Sequence, residues 1–152
     1  MLEKGSRQLR KGRVSIDGQI YMVTAVTQCR RPVFKRLPTG RRLVREFMTE
    51  EARGDLLSLA YVVMPDHFHW LVQLGQDACL STCMRRTKSC AARSINACLG
   101  RTGRLWQDGF HDHELRREED LLTYARYVLA NPIRAGLVES LRQYSLWDAI
   151  WV

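Results

Sequence analysis

The segment from His67 to Leu74 constrains the fold of this chain more than any other stretch, because residue chemistry alternates along it. Successive side chains of a β-strand point to opposite faces of a sheet. One face here is apolar, with Phe68, Trp70, Val72 and Leu74. We therefore predict a strand at 67–74 whose apolar face is covered by helices and whose other face presents His67 and His69 within reach of one metal ion. An isolated His-x-His also occurs as two surface histidines on a half-exposed strand.

The other segments alternate between strand-like and helix-like patterns. Strands are predicted at 20–27, at 57–64 and in the second part of 105–115, and helices at 40–53, 80–99 and 118–131. Gly100 ends the second helix, and Pro132 ends the third because it disfavours helical geometry at the preceding residue. The order β-α-β-β-α-β is that of an α+β ferredoxin-like sandwich, here with an added C-terminal helix that carries Tyr127.

The length and hydropathy of the chain favour one domain away from the membrane. A chain of 152 residues can bury a core of its own. We expect a single domain over 1–152, with a basic arm at 1–19 and a tail at 133–152 that packs back onto it. No stretch approaches the roughly 20 apolar residues that a membrane helix needs, and the first residues form no apolar signal segment. A cytoplasmic protein with no membrane partner is expected.

The charge balance favours a nucleic acid partner. The chain holds 24 Lys and Arg against 16 Asp and Glu, which gives a net charge of +8, and arginine predominates. A guanidinium binds phosphate through two parallel hydrogen bonds, so arginine-rich surfaces suit a DNA backbone. The residues predicted to follow the phosphates or to stack on bases are Arg10, Arg13, Arg31, Arg85, Arg86, Arg104 and Trp106.

The last predicted helix holds two residues that fit phosphoryl transfer. Tyr127 and Asn131 are four residues apart and share a helix face. A tyrosine hydroxyl can attack phosphorus when a metal polarises the phosphate, and the asparagine amide offers an oxygen ligand. Taken alone, the two residues are better explained by a packed ring and a helix cap before Pro132.

Three segments in this order resemble a known family. They are 64–70 (Met-Pro-Asp-His-Phe-His-Trp), 105–107 (Leu-Trp-Gln) and 127–138 (Tyr-Val-Leu-Ala-Asn-Pro-Ile-Arg-Ala-Gly-Leu-Val). Together they are similar to the REP-associated tyrosine transposases, which are relatives of the single-tyrosine insertion-sequence transposases in the HUH endonuclease group. The resemblance runs from Arg10 to the Trp-Asp-Ala segment at 147–149 and so covers nearly the whole chain.

The resemblance implies a role for each residue of the candidate site. His67 and His69 would be ligands of a divalent metal, Mg²⁺ or Mn²⁺, with Asn131 at the position of the third ligand. Tyr127 would be the nucleophile that cuts single-stranded DNA, leaving a 5′-phosphotyrosine and a free 3′-hydroxyl. The covalent bond conserves the energy needed for rejoining. The implied substrate is single-stranded DNA with hairpin repeats, bound by a monomer or a homodimer. The alternative is a protein derived from a transposase that binds hairpins without cutting them.

Other site chemistries fit less well. A nucleotide hydrolase of the histidine-triad type needs a third histidine where this chain has Leu71. A zinc protein would use cysteines and histidines, and Cys79 and Cys83 are one helical turn apart, but free cysteine is usually a small buried apolar residue. A second His-x-His, at 111 and 113, is expected to contact DNA or lie on the surface, and a metal role stays open because both side chains share a strand face.

Overall fold

One antiparallel sheet organises the computed structural model, which describes residues 18–116 and 118–151. The strands are β1 (Ile20–Val26), β2 (Leu56–Met64), β3 (His67–Leu74), β4 (His111–Leu115) and β5 (Trp147–Ala149). The helices are α1 (Leu37–Ala52), α2 (Leu80–Leu99), α3 (Glu118–Leu129) and α4 (Asn131–Arg134). Within the described residues the strand order is β4-β1-β3-β2-β5. The first four strands follow the ferredoxin-like order, so the predicted fold class is confirmed, and β5 extends the sheet beside β2.

The main core lies on one face of the sheet and follows from the alternation in β3. Phe68, Trp70 and Val72 are fully buried in the layer formed with α1 and α2. Phe47 of α1 stacks on Trp70 with ring centroids 4.2 Å apart, and the Trp70 indole N–H donates to Ser58 Oγ at 2.9 Å. Each large buried apolar side chain contributes about 1.5–3 kcal/mol. A one-residue slip would move all of them to the other face, so this layer fixes the register of β3.

The opposite face of the sheet is covered by α3. Ala125 and Val128 of this helix belong to one buried cluster with Leu71 of β3 and Val62 of β2. As a result β3 is buried on both faces over most of its length. The histidines lie on the α3 side, at the end of the sheet where β3 begins.

Two helix boundaries differ from the sequence predictions by more than one residue. α1 begins at Leu37 rather than at residue 40, because Pro38 is tolerated in a first helical turn, where its missing N–H is not needed. α3 ends at Leu129, and Asn131 begins the separate short helix α4. Pro132 causes this break because it cannot continue the hydrogen-bond ladder of α3. The chain therefore turns immediately after the segment that carries Tyr127.

The C-terminal tail contains a strand that no pattern predicted. β5 pairs with the middle of β2 and has three residues, too few for an alternation to be recognised. Leu146, just before β5, is buried against Gly40 of α1, where an added Cβ would collide with Leu146 Cδ1. The Tyr144 hydroxyl donates to Val63 O. Glycine at position 40 thus allows the tail to approach α1 closely.

Two expectations concern regions away from the core. Most of the predicted basic arm at 1–19, including Arg10 and Arg13, lies outside the described residues. Within the described ranges, no helix combines the length and the apolar character required to span a bilayer.

Candidate active site

The two histidines of β3 lie side by side on the α3 face of the sheet. Their ring centroids are 5.0 Å apart and the rings are nearly perpendicular, at 77°. In the register between β1 and β3, His69 is opposite Thr24 and His67 is opposite Val26. His69 is buried and His67 is partly exposed. Both imidazoles therefore meet at one end of the central strand.

A hydrogen bond on Nδ1 orients each imidazole. His67 Nδ1 is 2.7 Å from Asp66 Oδ1, and His69 Nδ1 is 2.7 Å from Thr24 Oγ1. Metal-binding histidines typically use one ring nitrogen for the metal while the other is held by such a partner. The two bonds leave Nε2 of each ring to serve as the ligand atom.

Asp66 is itself held in place by Arg30, whose Nη1 is 3.0 Å from Asp66 Oδ2. Partial burial acts to raise the pKa of Asp66, but hydrogen bonds and charge from His67 and Arg30 outweigh it and lower the pKa below its usual value. Asp66 is thus a carboxylate that orients His67. No sequence pattern singles out Asp66 as a site residue, although its position directly before His67 is an available signal.

Burial favours the neutral form of His69. Loss of solvent, followed by the positive charges of His67 and Arg134, lowers the pKa of His69 to about 4. A neutral imidazole keeps the lone pair that metal ligation requires. His69 can therefore ligate at neutral pH without first releasing a proton.

Tyr127 of α3 lies over the His69 ring. The two ring centroids are 6.2 Å apart, at an interplanar angle of 66°. Tyr127 is 49% exposed, so a polynucleotide can contact this residue from solvent. The predicted nucleophile therefore lies next to His69, one of the predicted metal ligands, although the two residues come from elements that are far apart in the sequence.

The junction between α3 and α4 fixes the backbone beneath Tyr127. A helix would bond the N–H of residue 132 to Val128 O, but Pro132 has no N–H. Instead the Asn131 side-chain amide Nδ2 donates to Val128 O at 3.0 Å and to Tyr127 O at 3.1 Å. Asn131 thus caps α3, in agreement with the helix cap that its position before Pro132 indicates. A ligand role is compatible with the cap because it would use the other amide atom, Oδ1.

Arg134 contacts Tyr127 in two ways and was not identified from the sequence. Its Nη2 donates to Tyr127 O at 3.0 Å, and its guanidinium carbon lies 4.2 Å from the centroid of the tyrosine ring. A cation over an exposed aromatic face is attracted by about 0.5–1 kcal/mol. Arg134 therefore restrains the ring and places positive charge beside it. The spacing of seven residues, two helical turns, was the signal available.

The donor set of the site fits a divalent cation. Two imidazole nitrogens and one amide oxygen form the mixed nitrogen and oxygen set from which many metal sites are built. The hydrogen bonds on Nδ1 of His67 and His69 are the outer support that such ligands usually have. The side-chain chemistry of His67, His69 and Asn131 therefore fits a metal ion.

A second group of metal-type side chains is already neutralised by arginine. Among the described residues, Glu50, Asp55 and Cys83 have ligand atoms within 4.8 Å of one another. Arg86 forms salt bridges with both Glu50 and Asp55, and burial raises the pKa of the Cys83 thiol to about 12. This group is best explained as a compensated ion cluster between α1 and α2, and it contains no histidine.

The second His-x-His pair faces the same side of the sheet as the first. His111 of β4 is opposite Thr24, which is also opposite His69 on the other neighbouring strand. His113 is hydrogen-bonded through Nε2 to the Tyr124 hydroxyl at 2.8 Å, with ring centroids 4.9 Å apart. Tyr124 is thus held by His113, whereas Tyr127 lies over His69.

The residues predicted to contact DNA have different environments. Arg31, Arg85 and Arg104 are exposed, as DNA contact requires. Trp106 is buried, packs on Phe34 with ring centroids 5.6 Å apart, and donates its indole N–H to Lys88 O at 3.0 Å.

DNA contact stays a prediction for all of these residues, but two of them have structural partners within the protein. The Trp106 ring belongs to the core, so its environment favours a structural role over base stacking. Arg86 is engaged by two carboxylates, which favours a role in joining α1 and α2 over phosphate contact. Sequence alone cannot separate such arginines from surface ones, since the partner carboxylates are distant in the chain.

Comparison with known proteins gives one family and several relatives. A family model described as "Transposase IS200 like" matches residues 15–131. A Haemophilus influenzae protein named "Putative REP-associated tyrosine transposase" is 30% identical over 97 residues. The match covers 57% of this chain and 55% of that protein, so the chain spans about half the length of this relative.

Two solved structures share the fold. A REP-associated tyrosine transposase bound to a REP hairpin superposes with a TM-score of 0.74 at 21% identity, over 89% of this chain and 79% of the other. A Deinococcus radiodurans protein described as a "putative transposase" superposes with a TM-score of 0.57 at 18% identity, over 84% of this chain and 95% of the other.

Proposed function

Because this chain belongs to the IS200-like transposase family, we propose that it is a metal-dependent single-stranded DNA endonuclease and strand transferase with Tyr127 as its nucleophile. The proposed substrate is single-stranded DNA that carries hairpin repeats. A REP-associated transposase with the same fold is bound to such a hairpin, and the +8 charge of this chain suits a polyanion.

The single observation that supports this proposal most is the meeting of Tyr127 with the His67–His69 pair. A half-exposed phenol lies over a buried histidine whose neighbour is a second, carboxylate-oriented histidine. A purely structural tyrosine has no need of two imidazoles oriented by Asp66 and Thr24.

In the proposed reaction the Tyr127 oxygen attacks phosphorus and loses its proton. The bond from phosphorus to the 3′ oxygen breaks, and that oxygen takes up a proton to become a free 3′-hydroxyl. The product on the protein is a 5′-phosphotyrosine. Attack by a 3′-hydroxyl on this bond restores the phosphodiester and frees Tyr127, so strand rejoining needs no added energy source.

The residues around Tyr127 have separate tasks in this scheme. A divalent ion, Mg²⁺ or Mn²⁺, bound by His67, His69 and Asn131 would polarise the scissile phosphate and neutralise part of its charge. Asp66 and Thr24 keep the two imidazoles oriented. Arg134 restrains the tyrosine ring, which keeps the nucleophile close to the attack position.

The proposal is tested by trapping the covalent product. The protein is incubated with Mg²⁺ or Mn²⁺ and a 5′-truncated series of hairpin oligonucleotides labelled at the 3′ end, then denatured and analysed by gel and mass spectrometry. We expect a labelled protein–DNA adduct whose tryptic peptide contains Tyr127. Hairpin binding without any adduct, under every metal condition, would favour the alternative of a hairpin-binding protein that does not cut.

A further inference from the structure

A groove of about 630 Å³ lies between α2 and the loop 101–110 that precedes β4. Arg85 and Lys88 line it from α2, and Arg104 and Phe110 line it from the loop. Its volume is in the range of pockets that hold small molecules, about 300–1,000 Å³. The groove is on the α2 side of the sheet, so it is separate from the candidate active site on the α3 side.

The groove carries positive charge that a ligand can reach. Arg85 and Arg104 are both exposed and line it from opposite walls. Arg104 forms a salt bridge with Asp108, but the two side chains are 56% and 88% exposed. Such an exposed pair is worth little in water, so a phosphate can replace the carboxylate at small cost.

The loop wall is tied to α2. Lys88 Nζ donates to Gln107 O at 3.1 Å and also to Gly109 O. The Trp106 indole N–H donates back to Lys88 O at 3.0 Å. These bonds form the groove before any ligand binds, which lowers the entropy cost of binding. They also explain why Trp106 is buried: its ring supports the groove wall.

The groove reaches the same end of the sheet as His67. The backbone N–H of Gln28 donates to Leu105 O at 2.8 Å, and the N–H of Gln107 donates to Val26 O at 2.9 Å. Val26 is directly opposite His67 in the sheet. The groove wall and the histidine pair therefore lie at the same end of the sheet, on its two opposite faces. A DNA strand that passes over this end of the sheet can contact both.

We propose that this groove binds a second segment of the same single-stranded DNA that is cut at Tyr127. Phosphates would contact Arg85 and Arg104, and a base would lie against the apolar wall at Phe110. The strand would cross the end of the sheet past the exposed Arg31. This inference rests on the proposed function for one point only, which is that the strand in the groove is also the strand that is cut at Tyr127.

The test compares two double variants with the same change in net charge. Arg85→Gln with Arg104→Gln removes the groove charges, and Arg45→Gln with Arg142→Gln removes two exposed arginines outside the groove lining. The probe is a fluorescein-labelled oligothymidylate long enough to cross the sheet end, and fluorescence anisotropy is measured at several salt concentrations. Equal melting temperatures establish that both variants are folded.

The salt dependence gives the decisive result. For a single strand, each lost phosphate contact makes the negative slope of log affinity against log salt shallower by about 0.7. The groove variant loses two contacts, so its slope should be shallower than the wild-type slope by about 1.4. The control variant should keep nearly the wild-type slope. Equal slopes and affinities for the two variants would overturn the proposal, because the groove arginines would then contribute only general charge.

A second measurement separates this inference from the proposed nuclease. The adduct assay of the nuclease test is run in parallel on the wild-type protein, with the same hairpin oligonucleotides. A groove-specific loss of slope with no adduct in the wild type would support the groove and contradict the nuclease. An adduct in the wild type together with identical slopes for both variants would support the nuclease and contradict the groove.

Discussion

At the scale of single residues, Tyr124 and Tyr127 provide an internal comparison. Both are on α3, three residues apart, and both face the sheet side that carries the histidines. The Tyr124 hydroxyl is hydrogen-bonded to His113, whereas Tyr127 lies over His69 and under the Arg134 guanidinium. The two tyrosines therefore carry the same phenol group in different environments, and only Tyr127 lies next to a proposed metal ligand.

Tyr127→Phe should eliminate the covalent protein–DNA product while leaving folding and DNA binding intact. The change removes one oxygen and keeps the ring, so its packing on His69 and Arg134 survives. Tyr124→Phe is the matched control and should still form the adduct. Adduct formation is read on a denaturing gel and binding by anisotropy. An adduct that persists in Tyr127→Phe but is lost in Tyr124→Phe would show that the wrong tyrosine was named.

His67→Ala and His69→Ala should each abolish cleavage and leave most DNA binding. The proposed metal serves the reaction, while the basic surface supplies the affinity. Cleavage rates and dissociation constants are compared for the same hairpin oligonucleotide, after a melting curve has shown that the variants are folded. Parallel losses of cutting and binding would instead indicate that the imidazoles only support the sheet.

Arg134→Gln should lower kcat for adduct formation by about 10–100-fold with a smaller effect on KM. Loss of the guanidinium frees the Tyr127 ring, and a misplaced nucleophile costs about this much. Arg134→Lys should recover part of the rate, because it restores the charge without the planar stacking. If Gln and Lys variants cleave at the wild-type rate, Arg134 does not position the nucleophile.

At the scale of elements, the α3–α4 junction combines two uses of one side chain. Asn131 replaces the backbone donor that Pro132 lacks, through its Nδ2, while its Oδ1 is the proposed metal ligand. The two uses belong to different atoms of the amide, so a substitution can separate them.

Asn131→Asp should reduce the free energy of unfolding but retain cleavage. The carboxylate keeps an oxygen ligand and loses both amide hydrogen bonds, each worth about 0.5–1.5 kcal/mol, and a negative charge is unfavourable at a helix C-terminus. Asn131→Ala should lose stability and cleavage together. Denaturant unfolding without metal and adduct assays with metal measure the two effects. Normal cleavage by the alanine variant would exclude Asn131 as a necessary ligand.

At the scale of the whole molecule, surfaces on both sides of one sheet end are suited to DNA. The α3 side presents Tyr127 and the histidine pair, and the α2 side presents the groove with Arg85 and Arg104. The net charge of +8 acts over the whole surface. Binding should therefore depend on many phosphates at once, not on one strong contact.

Affinity for single-stranded DNA should fall steeply as salt concentration rises. Contact with about four phosphates gives a slope of about −3 in log affinity against log salt. Titration of a labelled hairpin with a single-stranded flank, at increasing salt, measures this slope. Blunt duplex without a flank should compete poorly. An affinity that stays flat between low and moderate salt would contradict a phosphate-based interface.

Local patterns in the sequence were sufficient for the strand and for the relative placement of candidate residues that are close together in the chain. Alternation in β3 placed Phe68 and Trp70 on one face and the histidines on the other, because a strand reverses side-chain direction at every residue. Helical spacing likewise placed Tyr127 and Asn131 together. These arrangements extend over a few residues, and backbone geometry alone determines them.

Only the tertiary structure decided which distant residues became partners. Thr24 meets His69 because β1 and β3 pair in one register. Trp106 enters the core because its loop is bonded to the end of β1. Arg86 is neutralised because α1 and α2 pack side by side and bring Glu50 to it. Each of these contacts depends on packing between separate elements, and no local period in the chain records such a pairing.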